Sequence, residues 1–228
     1  MLYLYFRFFA IYGTILIYSI LLTAYIFLEY QEKFKAATTI KVILSAIASG
    51  CAVFAAILLE SYIFYIFALG MLFAVPADYF LQYIKVNMMK YRAGIFCFAL
   101  MHICLLVSFY MLFPISIIEF IIFAVFIGIL LAFQILGKWK IGEEKLQLSI
   151  YTVLVVLMAS KAISLSFTIP NPALFITMVS LGGLFFFISD LFLGIWAYSK
   201  ERFVFLALNR LIYFAGQLCL AFYLVFIV

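Results

Sequence analysis

The chain has 228 residues, of which 71% are apolar and only 10% charged, and its formal net charge is +5. Soluble domains carry charge on about a quarter of their residues, so this composition excludes a water-soluble globular protein and leaves an integral membrane protein. No soluble nucleic-acid-binding class fits either, because the basic residues sit singly or in small groups between apolar runs.

A helix rises about 1.5 Å per residue through a hydrocarbon layer about 30 Å thick, so about 20 apolar residues make a span. Eight runs meet that length, over residues 4–28, 42–59, 62–84, 93–113, 115–136, 148–168, 173–198 and 204–227. They leave no room for a soluble domain, so residues 1–228 are expected to form a single polytopic membrane domain. Barrel strands would alternate in polarity over about ten residues, whereas these runs are apolar on every side. The predicted fold is therefore all-α, with eight transmembrane helices.

The first run has Arg7 near its start and no small-residue cleavage pattern after it, so it is expected to be a retained helix. Lys41 opens the second run. The third carries Pro76 and Asp78 in GMLFAVPADYFL, and the fourth carries Gly94, Phe98 and the single histidine, His102. Tyr151 and Lys161 lie in the sixth; GGLFFFISDLFL, with Gly182, Gly183 and Asp190, lies in the seventh; Arg210, Tyr213 and Gln217 lie in the eighth. Cys51, Cys97, Cys104 and Cys219 fall inside apolar runs without metal-type spacing, and are expected to be reduced and buried.

Basic residues mark alternate connections: Lys33, Lys35 and Lys41, then Lys85, Lys90 and Arg92, then Lys138, Lys140 and Lys145, then Lys200 and Arg202. The connections near Glu60, Pro114 and Asn171 have none. Under the positive-inside rule the basic loops are cytoplasmic and both termini face outside. The net positive charge is then mainly a topology signal, with attraction to anionic membrane lipids as its side effect.

The two aspartate segments match in register at Gly, Leu, Phe, Asp, Phe and Leu, and they lie four spans apart. That even spacing fits a four-plus-four parallel repeat. Counted from the predicted span ends, Asp78 and Asp190 share a level in the cytoplasmic half, with His102 and Arg210 at similar heights, Lys41 and Tyr151 shallower and Gln217 deeper. Carboxyls are costly in hydrocarbon, and two on matched scaffolds point to joint use.

Each residue also has a plainer reading. A lone intramembrane Asp can bond a neighbouring helix or neutralise a cation, His102 can be a hydrogen-bonded packing residue, and Arg210 can snorkel or serve as counter-ion to an Asp. Lys161, deeper toward the outer half, should pair with an acid or open into a wet cavity. Gly94, Gly182 and Gly183 suit close helix packing. Pro76 removes a helical hydrogen bond just before Asp78.

The chain has no GxSxG turn, no HExxH pair, no phosphate-binding GxxxxGKS/T loop, and too few histidines for a three-histidine zinc site. General acid and base work suits the residues best, since burial can keep one carboxyl protonated while a nearby cation keeps another charged. No metal or cofactor is expected.

The order of these features resembles the lysoplasmalogenase family of YhhN-like membrane proteins. The resemblance rests on Lys41, then Gly70 to Asp78, then Gly94, Phe98 and His102, then Tyr151 and Met158, then Gly182 to Asp190, then Tyr213, Gly216 and Gln217. Val42, Ala77, Leu105 and Gly216 depart from the family's usual Pro, Gly, Tyr and Ala. The resemblance implies eight spans and hydrolysis of the vinyl ether bond of a lysoplasmalogen, a lysophospholipid, to a fatty aldehyde and a glycerophospho-alcohol. It fits a bacterial cytoplasmic membrane.

That reaction asks for one acid and one carboxylate, much as in glycosidases. Asp78 and Asp190 are the expected catalytic pair. An Arg210 that meets Asp190 would keep it ionised and leave Asp78 as the acid. Lys41 is expected at headgroup level to meet the lipid phosphate, and His102, Tyr151, Tyr213 and Gln217 to position water or the substrate hydroxyl. A lipid or small-molecule transporter using intramembrane carboxylates is the contrary reading, and a non-catalytic lipid-binding protein is a third.

Overall fold

The computed structural model describes residues 2–170 and 173–227, with side chains described from residue 11 onward; Asn171 lies outside the described residues. Eight helices follow one another: α1 (Leu2–Tyr30), α2 (Phe34–Leu59), α3 (Tyr62–Leu81), α4 (Met88–Leu112), α5 (Ile117–Gly137), α6 (Lys145–Thr168), α7 (Leu174–Tyr198) and α8 (Phe203–Ile227). Each is long and apolar enough to cross a membrane, and no strand occurs among the described residues. In hydrocarbon only such self-satisfied backbones are stable.

Local chemistry sets the helix ends. The Asn87 side chain accepts a hydrogen bond from the Lys90 amide to start α4, and Ser116 does the same for the Ile118 amide at α5. Glu60 and Lys138 end α2 and α5 in the left-handed region, each at φ 50°. The largest difference from the sequence expectation is at α2, which begins at Phe34, eight residues before the predicted start. Lys41, Thr38 and Thr39 depress the hydropathy there, yet the threonines bond back to the carbonyls of Phe34 and Lys35 within the helix.

The halves pack alike. α3 lies on α4 as α7 lies on α8; α2 on α3 as α6 on α7; α1 on α2 as α5 on α6; and α4 meets α6 as α8 meets α2. Only the outer helices break the correspondence, α1 touching α8 and α5 touching α7. Glycines fix the register of the two central pairs. A Cβ on Gly70 would lie 3.1 Å from the Met101 carbonyl and 3.4 Å from Leu105; one on Gly182 would lie 3.2 Å from the Gly216 carbonyl and 2.7 Å from Leu220. Met101 therefore corresponds to Gly216 and Leu105 to Leu220, which makes His102 the counterpart of Gln217 and Phe98 that of Tyr213.

The basic connections gather at one end of the bundle. Lys85 pairs with Glu201 and Arg92 with Glu143, and the Lys140 amide bonds the Tyr198 carbonyl. Helix α5 is the most exposed member, burying only Glu119, Phe126 and Leu130. All four cysteines are free, as expected, but they are half-buried and not buried, because each lies on the flank of its helix between core and lipid-facing sides.

Candidate active site

Asp78 sits in the last turn of α3 and is 1% exposed. Lys41 and Ser45, one helical turn apart on α2, share the side that faces it. The Lys41 ammonium is 3.3 Å from Oδ1, an ion pair without hydrogen-bond alignment. The Ser45 hydroxyl donates to Oδ2, and the Tyr213 hydroxyl donates to the same oxygen at 2.5 Å. Ser45 is also 3.5 Å from Gln217 Oε1, but one hydroxyl has one proton and the carboxylate is the nearer acceptor. Tyr18 donates to that Gln217 oxygen at 3.2 Å.

Lys41 was expected at headgroup level. It is fully buried instead and committed to Asp78, because α2 starts two turns earlier than hydropathy suggests and carries it into the bundle. Breaking a buried pair of this kind by removing one partner costs about 3–5 kcal/mol. Its first duty is therefore to compensate a carboxylate.

Asp190, on α7, has a sparser setting. Tyr151 of α6 donates to its Oδ2 at 2.7 Å, and Asp190 makes no ion pair among the described residues. The counter-ion anticipated for it is engaged elsewhere. Arg210 forms a forked pair with Glu29 at the end of α1, Nε to Oε2 at 3.2 Å and Nη2 to Oε1 at 3.0 Å, and its Nη1 donates to Asn209 Oδ1 at 3.0 Å. Glu29 also accepts from Tyr25 and Gln82, both at 3.1 Å. A planar guanidinium favours such two-point pairing, so Arg210 ties α8 to α1.

The two aspartates nevertheless border a common space. Asp78, Asp190, Tyr151, Tyr213, Asn209 and Arg210 line one narrow cleft. A somewhat larger pocket shares Asp190 and Tyr151 with it and leads toward the basic end. Asp190 thus stands in the partition between the two spaces.

His102 and Gln217 lie at one level of the repeat, where the sequence count had set Gln217 deeper. Each comes fourteen residues into its helix, after Met88 and Phe203 respectively. The count was shortened for His102 because Lys90 and Arg92 hide the first turn of α4 from a hydropathy reading. His102 is fully buried, its ring 5.7 Å from that of Tyr151 and 5.6 Å from that of Phe186. Neither imidazole nitrogen, nor Gln217 Nε2, has a protein hydrogen-bond partner. His102 therefore braces Tyr151 by ring contact.

Lys161 finds the acid expected of it. Its ammonium donates to the Pro114 carbonyl at 2.6 Å and lies 3.3 Å from Glu119, which also accepts from Tyr110. This cluster pins the α4–α5 connection to α6, away from the aspartate pair.

Sequence reasoning missed Ser45, Glu29 and Asn209. Ser45 was legible as the residue one turn beyond Lys41, whereas Glu29 reads as an ordinary interfacial acid until α1 is packed against α8. Gly94, Gly182 and Gly183 serve close packing as expected: a Cβ on Gly94 would lie 2.8 Å from the Leu81 backbone nitrogen.

An eight-helix, pseudo-duplicated multi-pass membrane protein with one carboxyl from each half on a common cavity is the class that this fold and site define. Within that class the chain belongs to the YhhN family, whose profile matches residues 30–224. Comparison with curated proteins and with solved structures returns no match.

Proposed function

We propose that the protein is an intramembrane hydrolase that cleaves the vinyl ether bond of lysoplasmalogens by acid and base chemistry of Asp78 and Asp190. The observation that carries this reading is the unequal pair on one cavity. Asp78 has a cation, Lys41, and two hydroxyl donors, while among the described residues Asp190 has the Tyr151 hydroxyl alone. Membership of the YhhN family supports the same reading.

A vinyl ether is an enol ether, so its carbon β to oxygen accepts a proton and the α-carbon becomes an oxocarbenium ion. Asp190, lacking a counter-ion, is suited to be the acid that delivers this proton. Asp78, paired with the Lys41 ammonium, faces the developing positive charge and stabilises it. This reverses the roles that an Arg210–Asp190 pair would have given. Water then adds to the α-carbon and returns a proton to Asp190. The hemiacetal breaks its bond to the glycerol oxygen, which takes up the hydroxyl proton, leaving fatty aldehyde and glycerophospho-alcohol. Protons and water balance, and no oxidant is consumed.

The test is to incubate detergent-purified protein with alkenyl lysophosphatidylethanolamine and follow aldehyde, with the saturated ether as control. Aldehyde from the vinyl ether alone is the expected result. Turnover of the saturated ether would overturn the mechanism, because that substrate has no carbon to protonate. The repeat is also an architecture of carriers; substrate accumulation in proteoliposomes without new product would support that reading instead.

A further inference from the structure

One face of α7 carries Asp190, Gly194 and Tyr198 at successive turns, and all three line the larger pocket. The loop after α5 lays Trp139 on that face. Its indole stacks on Tyr198 with ring centroids 6.2 Å apart, and it lies across Gly194, where a Cβ would come 2.5 Å from Cζ3. Gly137 makes room for the opposite edge of the ring, since a Cβ there would lie 2.6 Å from Nε1. The loop is tied down on both sides of the indole: the Lys140 amide donates to the Tyr198 carbonyl at 3.0 Å, and the Ser199 hydroxyl to the Gly137 carbonyl at 2.8 Å. Tyr91 of α4 completes the collar, its hydroxyl 2.8 Å from that of Tyr198. The indole thus sits one turn from Asp190, on the side of the basic end.

Behind this collar the pocket has about 60 Å3 of space, enough for a few water molecules and far too little for a lipid chain. Much of its wall is apolar, yet Gln134 and Thr152 line it with side chains that make no hydrogen bond among the described residues. Asp190 adds its Oδ1, since Tyr151 donates to Oδ2 only, and it keeps partial exposure where Asp78 is 1% exposed. Buried waters make about three hydrogen bonds each, and these are the free groups the space offers them.

We propose that this pocket is the water chamber of the hydrolase and that Trp139 is its plug, setting the size of nucleophile that reaches Asp190 from the basic end. The inference rests on the proposed hydrolase reading. In that reaction Asp190 gives its proton to the vinyl ether and then, as a carboxylate, takes one from the water that attacks the oxocarbenium carbon. Standing in the partition, it receives that water from the chamber and meets the ether from the cleft it shares with Asp78. Trp139 touches no reacting atom and is a positioning residue. A small alcohol that passed the plug would add in place of water: its oxygen bonds to the carbon, its proton goes to Asp190, and the glycerol oxygen stays attached, giving a mixed acetal.

The experiment turns over alkenyl lysophosphatidylethanolamine in aqueous methanol and reads the ratio of mixed acetal to aldehyde. The unaltered protein should give aldehyde almost alone. Trp139→Ala, and Gly194→Ala, which evicts the indole without removing it, should each raise the acetal share about tenfold, or about 1.4 kcal/mol between the two nucleophiles. Trp139→Phe should raise it less, and Trp196→Ala, whose ring lies under the Lys85 ammonium, not at all. A second measurement needs no turnover. Thr152→Cys puts a thiol in the chamber, and its labelling by a small water-soluble methanethiosulfonate, read peptide by peptide, should quicken with Trp139→Ala and Gly194→Ala, while Cys104 on α4 in the same sample labels as before. Unchanged labelling of the introduced thiol, an equal rise at Cys104, or an unchanged acetal share overturns the plug. Faster labelling with neither aldehyde nor acetal from any variant would sink the hydrolase and keep the plug, and aldehyde release without a change in labelling would do the reverse.

Discussion

The two aspartate half-sites are built on one helix pattern and furnished differently. On the Asp78 side, α2 supplies Lys41 and Ser45, and α8 supplies Tyr213. On the Asp190 side, α6 supplies Tyr151, and α8's guanidinium is drawn away to Glu29. Glycine contacts and helix order keep the scaffolds superposable in kind, so the difference lies in a few side chains. Two carboxyls in one membrane layer need not share a charge state when only one has a cation beside it. The comparison teaches that duplication sets the positions and the neighbours set the roles.

The sharpest way to break this comparison is to neutralise each carboxyl in turn. Asp190→Asn removes the acid and should lower aldehyde release by about 10²–10⁴-fold, while binding of the saturated-ether lysolipid persists. Asp78→Asn should also abolish turnover. Normal aldehyde release from either purified variant would remove the pair from the chemistry.

Next in size are the buried cations. Lys41→Met leaves Asp78 uncompensated and Lys161→Met leaves Glu119 so, each at a cost of about 3–5 kcal/mol read by thermal unfolding in detergent. Only Lys41→Met should lose activity beyond its loss of folded protein, since Lys161 serves the distant α4–α5 connection. Equal specific activity in the two would erase the distinction drawn between the clusters.

Gly94→Ala puts a methyl against the Leu81 backbone and should destabilise by about 1–3 kcal/mol. Gly50→Ala, where nothing lies within 4 Å, serves as its measured control. The smallest effect belongs to the tyrosines. Tyr151→Phe strips Asp190 of its hydroxyl donor and should slow turnover about tenfold, or about 1.4 kcal/mol; Tyr213→Phe leaves Asp78 with Lys41 and Ser45 and should slow it less. A reversed order in initial rates would show that the half-sites are not furnished as described.

Much of this was legible in the residues. Run length and composition specify eight helices, and the paired Gly-to-Asp segments announce a duplication and its two acids, because burial in hydrocarbon makes every polar residue conspicuous. Lys161's need for an acid follows from the same cost. Ser45 stands one turn from Lys41 and could have been read with it. Boundaries were harder: Thr38, Thr39 and Lys41 mimic the end of a span while continuing it, so Lys41 looked superficial.

Sequence by itself, then, determined the class, the helix count and the residues too costly to bury without purpose, since those follow from transfer of side chains into an apolar layer. Tertiary structure decided who neutralises whom. Arg210 pairs with Glu29 and Lys41 with Asp78 because α1 lies against α8 and α2 against α3, and such short-range electrostatics depend on helix rotation and register that one chain's hydropathy does not encode. The pocket beside Asp190 likewise exists only once α5, α6 and α7 stand side by side.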